Sequence, residues 1–474
     1  MNVADAIKLR RCVLGSIPER LYDEPVDPEF IYVPRSHVAA LDPSRALVVG
    51  GRGTGKTFWW ETLGTSDLGP LLLSQFFDAR KEGLHYEVSV GYGAKTVDAG
   101  RPLDADTLGS LFDAFPPRVV WKTVVLHRIA PERLEHLGTW RERVGWVHED
   151  PERAARILAE TDDELFAEGR RHIVVFDAID RTAHLWKDVV KAHHGLFGLL
   201  LDLLGTRALR AKAFVRLDVL NDPYVLAFPD ASKLLTAKVE LSWKPTDLYG
   251  LLWRYLANSR ENADVFRALF KPRVGWKQAA GAWMVPTELT EEAHQEALWH
   301  QLAGRWMGTN ERRGDTYRWL VNHLADAFGS VSPRSFLAAI RAAALATPDD
   351  EPQVFHHRAI QEGVREAAEI RAREIKEDFP WADQALTTLK HLVVPCIASD
   401  VLGAWEHAKL EELLEKNPEA RRRARSGGDL AGVIEDLREL GVMERLPDNR
   451  INVPDVYRLP FGIGRMGGVP ARRA

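Results

Sequence analysis

Cysteine is almost absent from this 474-residue chain: Cys12 and Cys396 are the only two, 384 positions apart and without metal-ligand spacing around either. That excludes a disulfide framework or a cysteine-based zinc site, so both are expected to be free thiols of a reducing compartment. Long hydrophobic runs are missing too. The most apolar stretch, GLFGLLLDLLGTR at 195–207, is broken by Asp202, well short of the roughly 20 residues a membrane-spanning helix needs. It is expected to be a packed amphipathic helix, with no membrane partner. The opening residues MNVADAIKLRRCVLGSIPERLYDE contain an Arg pair but only a short apolar run, so no export signal is expected and the location is expected to be cytoplasmic. There is no surplus of positive charge: 63 Lys+Arg stand against 68 Asp+Glu, a net charge of −5, which excludes a chain that is basic over its whole surface. Internal repeats and low-complexity segments are also lacking.

What is present is ordinary globular material: 45% hydrophobic and 28% charged residues, in a length that suggests several domains. The 15 tryptophans are scattered, with Trp59 and Trp60 the only adjacent pair, and are expected to anchor cores and interfaces.

Residues 1–45 are rich in proline and weak in periodicity, and read as an irregular lead-in. Ala46–Val49 is a short buried strand ending at Gly50, with a helical pattern from Thr57. The stretch 68–170, with helical patterns across 132–143 and 151–168, reads as an insertion. Strands are expected at His172–Phe176, Lys212–Leu217 and Lys238–Trp243, separated by a helix at Trp186–Leu204. Strands alternating with helices predict an α/β fold with a parallel sheet. The core is thus placed at 46–245, followed by a helical lid at 246–346 and a helical connector at 347–416. The tail, 417–474, combines RRRAR at 421–425, a helix near Leu430–Leu440, VMERL, the turn PDN and RINV. This is a winged-helix signature. It holds 11 Arg, no Lys and eight acids, a net +3, so positive charge is concentrated there.

GGRGTGKT, comprising Gly50, Gly51, Arg52, Gly53, Thr54, Gly55, Lys56 and Thr57, satisfies G-x-x-x-x-G-K-[ST] between a strand and a helix. In such a loop, backbone N–H groups turn inward around phosphate oxygens, assisted by the positive end of the following helix. Lys56 would meet the β- and γ-phosphates and Thr57 would ligate Mg²⁺. Phe58 follows at the nucleotide side. ATP and Mg²⁺ are the expected ligands.

A Mg²⁺ site also needs an acid at the end of a neighbouring strand, and IVVFDAIDR supplies Asp177, with Asp180 three residues on. Asp177 is assigned to the metal and Asp180 to orienting or deprotonating water, with a helix N-cap as the alternative for Asp180. Arg216, beside Asp218, is a candidate γ-phosphate sensor or a partner in a buried ion pair. Arg334, after Pro333, could reach over a nucleotide from the lid or be a solvated first-turn residue. Arg181 could serve a neighbouring subunit. His184, His193 and His194 lack spaced partner ligands and read as core or helix-surface residues.

GGRGTGKT with FDAIDR resembles the P-loop NTPases of the KAP and STAND groups, relatives of AAA+ ATPases. KAFVRLDVL through KVELSWKPTDLYGLL is similar to their passage from sensor strand to lid, and GSVSPRSFLAAI to their lid Pro-Arg element. The resemblance spans roughly 32–346 and, more loosely, the tail. It implies a switch ATPase used in DNA transactions or antiphage defence, acting as a homo-oligomer or with a partner protein. Two departures matter: Ala178 stands where a typical AAA+ protein has Glu, and the 121-residue separation of Lys56 from Asp177 holds a soluble insertion. Two other functions stay open. One is a non-catalytic, nucleotide-gated regulator that binds DNA or protein through the tail. The other is a small-molecule kinase.

Overall fold

The computed structural model describes residues 1–19, 27–65, 67–76, 85–93, 103–183, 185–273, 275–279, 281–417 and 429–465. The chain divides into two compact units, one formed by Val33–Ser242 and the other by Met1–Tyr32 with Trp243–Ala474.

The first unit is built on five parallel strands: β1 (Leu47–Gly50), β2 (His85–Tyr92), β3 (Arg170–Phe176), β4 (Leu209–Arg216) and β5 (Lys238–Glu240), in the order β2-β3-β4-β1-β5. The continuous apolar runs LVVG and HIVVF are fully buried, as strands covered on both faces require. Helices Lys56–Gly64, Pro117–Ile129 and Trp186–Leu203 flank the sheet, and the last buries Leu196, Phe197, Leu199 and Leu200 in one core with Val49, Val174 and Val215. The 195–207 stretch is therefore the end of a packed helix. Among the described residues no helix is long and apolar enough to cross a membrane, and both cysteines are buried free thiols.

Part of the presumed insertion is a sheet strand. HYEVSVGY alternates polar and apolar residues over its first six positions, the pattern of a half-buried strand. Its polar groups are satisfied by β3, where Arg170 grips Glu87 at 2.7 and 3.0 Å and His172 meets Ser89 at 2.8 Å. The helical pattern across 132–143 also resolves differently. A single turn, Pro131–Arg133, is followed by a helix that starts at Trp140, where Thr139 and Glu142 form a reciprocal capping box.

The lead-in is not irregular throughout. Helix Val3–Ser16, capped by Asn2, belongs to the second unit, and helix Arg35–Leu41 to the first. Lys212, fully buried on β4, fastens the end of helix 35–41 by donating to the carbonyls of Ala40, Asp42 and Arg45 at 2.7–2.9 Å. Three acceptors match the three N–H bonds of an ammonium.

The second unit is helical and has two cores. The first is aromatic: Tyr249 stacks on Tyr317 with ring centres 4.0 Å apart, Trp253 on Phe266, and Trp299 on Phe355. Helix His357–Asp378 runs from this core, through Ile360 and Val364, into the second, through Ile375. Gly363 lets it lie against helix Pro333–Ala346, since a Cβ there would fall 2.2 Å from the Ala339 carbonyl oxygen. The second core gathers helices Pro380–Thr387, Ala398–His407, Leu410–Lys416 and Leu430–Glu439 with the antiparallel pair Glu444–Arg445 and Ile451–Asn452. Val393–Val394 pairs with Gly464–Arg465, and Cys396 bridges to Ile451. This module begins near Ile375 rather than at 417.

Candidate functional site

Three loops leave the C-terminal edges of adjacent strands, the place where open parallel sheets receive ligands. After β1, Gly53 and Gly55 take φ of 73° and 100°, a region open mainly to glycine. Gly55 then caps the helix that begins at Lys56. Thr54 Oγ1 donates to the Gly51 carbonyl at 3.0 Å and packs so tightly that a Cβ on Gly50 would lie 2.3 Å from it. The Lys56 ammonium sits inside the turn and donates to the carbonyls of Gly50 at 3.0 Å and Gly51 at 2.6 Å. Burial pulls its pKa down to about 8, with the charge of Asp177 opposing. Arg52 is half-buried, and Phe58 is exposed with its ring edge-on to Trp59.

After β3 comes Asp177, only 4% exposed. Its backbone N–H donates to the Tyr92 carbonyl, and its Oδ2 accepts from Thr57 Oγ1 at 2.8 Å. Burial raises its pKa against the pull of Thr57 and Lys56. Ala178 then adopts φ 57°, ψ 27°, a left-handed conformation unusual for a residue with a side chain. It turns the chain into the single helical turn Ile179–Arg181, which carries Asp180.

β4 ends at Arg216, whose guanidinium binds Asp218 through two hydrogen bonds of 3.0 and 2.8 Å and reaches Asp180 at 3.2 Å. Burial alone would raise the Asp180 pKa; the charges of Arg216, His193, Arg181 and Lys56 bring it below the usual carboxylate range. Of the two alternatives for Arg216, the ion pair with Asp218 is what the structure contains, and the residue stands at the strand edge beside the loop.

The structure brings together Gly50–Thr57, Asp177, Asp180 and Arg216. Arg334 lies in the helical unit, where it donates to Glu374 Oε1 at 2.7 Å. Arg181 is exposed. His193 is buried, with Nδ1 2.8 Å from the Val189 carbonyl; His194 is nearer the surface, and His184 lies outside the described residues. A link with no local signal is His37, whose Nδ1 accepts from Trp59 Nε1 at 3.0 Å while Nε2 donates to the Ser242 carbonyl at 3.2 Å. It joins helix 35–41 to the helix that starts at Lys56.

Chemically, the loop offers the Lys56 cation at a helix N-terminus to an anion, and the Thr57–Asp177 pair offers hard oxygen donors of the kind Mg²⁺ takes. Asp177, buried at the strand end with Oδ2 on Thr57 Oγ1, gives a divalent cation a place to be held. The residues therefore fit that ion.

No family model matches the chain, and no curated protein matches it. Among solved structures, the chain is similar to the Aeropyrum pernix ORC2 protein in its ADPNP-ADP complexes, at 15% identity over 93% of this chain and 94% of that one, with a TM-score of 0.40. It is also similar to the Aeropyrum pernix ORC1 protein in complex with DNA, at 13% identity over 94% and 93% and a TM-score of 0.36. A third, Cdc6p from Pyrobaculum aerophilum, gives 14% identity over 92% and 95% and a TM-score of 0.28. At these scores they are neighbours in outline only. The P-loop α/β class rests on this chain's own sheet and loop.

Proposed function

We propose that the chain is an ATP-binding and ATP-hydrolysing P-loop switch ATPase, related to the AAA+, KAP and STAND groups. The observation that carries this reading is the convergence of Lys56, Thr57, Asp177, Asp180 and Arg216 on one sheet edge. Lys56 would exchange its two loop carbonyls for phosphate oxygens, and Thr57 and Asp177 would hold Mg²⁺. When bound, that ion neutralises phosphate charge. Asp180, kept ionised by Arg216, would orient the attacking water and accept its proton. Arg216 would stabilise negative charge developing on the γ-phosphate. Arg334 would add a lid contribution, and the exposed Arg181 a contribution to a second copy in a homo-oligomer. Mg²⁺-dependent release of phosphate from ATP tests the reading. Lys56→Ala and Asp177→Ala should abolish it, and undiminished turnover in Lys56→Ala would reject it.

A second reading is a nucleotide-gated binding regulator with negligible turnover. It is favoured by Ala178, which leaves no glutamate beside Asp177, and by the engagement of Asp180 with Arg216. Its binding module would be the C-terminal winged helix, with duplex DNA as the partner. Within 429–465, all five arginines already have carboxylate partners: Arg438 and Arg445 with Glu435, Arg450 with Asp448, and Arg458 and Arg465 with Asp455. A DNA contact would therefore rest on RRRAR at 421–425, Arg472 and Arg473, which lie outside the described residues. Neutralising those arginines in the full chain should remove salt-dependent duplex binding. Unchanged binding would remove DNA from the reading.

A further inference from the structure

We propose that Glu296, His300 and Asp315 form a binding site for a divalent first-row transition ion of the zinc type, remote in sequence from the P-loop and independent of it. Glu296 and His300 lie one turn apart on helix Glu292–Ala303, so both project from one face. Asp315 caps the next helix, Thr316–Leu324. Its Oδ1 accepts from the N–H groups of Tyr317 at 3.0 Å and Arg318 at 3.4 Å, and its Oδ2 is left facing His300 Nε2 at 2.8 Å. One ligand atom from each of the three residues lies within 4.8 Å of the others.

The geometry at His300 separates a metal site from a plain ion pair. Nε2 is shielded from solvent and, although 2.8 Å from a carboxylate oxygen, makes no hydrogen bond of proper geometry. An imidazolium paired with Asp315 would align its N–H on that oxygen. Two ligand atoms turned toward a common centre, with bonds of about 2.0–2.2 Å to an ion, instead sit roughly 3 Å apart without pointing at each other. The donor set also selects the ion. A neutral imidazole with two carboxylates carries a charge of −2, matched by one divalent cation. Imidazole nitrogen favours zinc, copper, iron or nickel over magnesium and calcium, which take oxygen. His300 and Asp315 keep 20% and 17% of their side-chain surface, which leaves room for a water as a further ligand.

Such an ion would staple the loop between the two helices, which is already drawn in: Thr316 N–H donates to the Arg305 carbonyl at 2.9 Å, and Thr316 Oγ1 to the Gly304 carbonyl at 2.6 Å. The test uses the full chain, stripped by a chelator and free of nucleotide, titrated with Zn²⁺ against a chromophoric competitor in excess Mg²⁺. The wild type should take up one equivalent that Glu296→Gln and His300→Gln each weaken at least about tenfold, the range already seen on losing an outer-shell partner. Zn²⁺ should raise the melting temperature of the wild type and leave that of Glu296→Gln unmoved. Should His300→Gln fail to fold, Glu296→Gln carries the test, since Glu296 takes no part in the His300–Asp315 pair. Equal Zn²⁺ affinity in wild type and Glu296→Gln would overturn the proposal. So would a wild type that takes up no Zn²⁺ while His300→Gln merely lowers thermal stability, because the residues would then be an ion pair alone.

Discussion

Arg216 stands directly opposite Gly50 in the register of β4 on β1, so the guanidinium at one strand's end and the first glycine of the P-loop at the other's share a sheet edge. Its two bonds to Asp218 hold it in place, and its third contact keeps Asp180 ionised. Arg216→Ala should therefore do two things. ATP turnover should fall about 10²–10³-fold, the usual cost of removing one stabilising donor, while nucleotide affinity changes little. Without Arg216, burial dominates at Asp180 and its pKa climbs, so the acid limb of the residual pH–rate profile should move to higher pH. Single-turnover hydrolysis across a pH series measures both. A profile that loses amplitude without moving would separate Arg216 from Asp180.

On the proposed reading, Lys56 makes nucleotide affinity depend on pH. Burial places its pKa at about 8, so above that pH a growing share of the free protein holds a neutral amine, which must take up a proton to pair with phosphate. Affinity for ATP should weaken as pH rises past about 8, by up to about tenfold per pH unit. Lys56→Arg, whose guanidinium stays charged, should bind less well overall but with a flat profile over the same range. Nucleotide titrations from pH 7 to 9.5 check this, and parallel profiles for the two proteins would contradict it.

The parts of this molecule that were legible in sequence are those whose signal is local. The run LVVG, the glycines at 53 and 55 and the Lys-Thr pair declare a strand, a turn and a helix start within eleven residues, and FDAIDR declares an acid at a strand end. What escaped is non-local. β2 carries an alternating pattern of its own, but its place in the sheet depends on Glu87 and Ser89 meeting Arg170 and His172, 83 positions away. The left-handed turn at Ala178 has no glycine to announce it. The helix expected over 132–143 was displaced by the capping box at Thr139, a local signal that periodicity alone overlooks.

His37 gives the first unit an acid-sensitive joint. Burial lowers its pKa to about 4, and in the neutral form Nδ1 accepts from Trp59 while Nε2 donates to Ser242. The folded state resists protonation that the unfolded chain accepts at about 6.5, so this contribution is fully present above pH 6.5 and is lost as pH falls toward 4. Its size is of the order of 3 kcal/mol at most. Urea unfolding at pH 7 and pH 4.5, followed by tryptophan fluorescence, should show a smaller acid-induced loss for His37→Gln than for the wild type. The variant should be the less stable of the two at pH 7.

Glu374 is the carboxylate on which the helical unit's two cores meet. One oxygen accepts from Arg334 at 2.7 Å and the other from Arg371 at 2.8 Å, with Glu374 and Arg371 only 7% and 6% exposed. Arg371 also donates to the Tyr457 hydroxyl at 2.5 Å, tying helices Pro333–Ala346 and His357–Asp378 to the Asp455–Arg458 turn. Glu374→Ala leaves a buried guanidinium without its carboxylate, which costs roughly 3–5 kcal/mol. Glu374→Gln retains one acceptor oxygen and should cost less. Because the first unit has its own core, the loss should show in hydrogen exchange as faster opening of helix His357–Asp378 and slight change at β1, β3 and β4. Replacing Arg371 and Glu374 together by leucine should recover much of the stability, since no buried charge is then stranded. Arg334, 35% exposed, would lose one ion pair in a place where solvent screens its charge. Arg334→Ala tests its proposed part in hydrolysis directly: unchanged turnover there, with the fold intact, would confine Arg334 to a structural role.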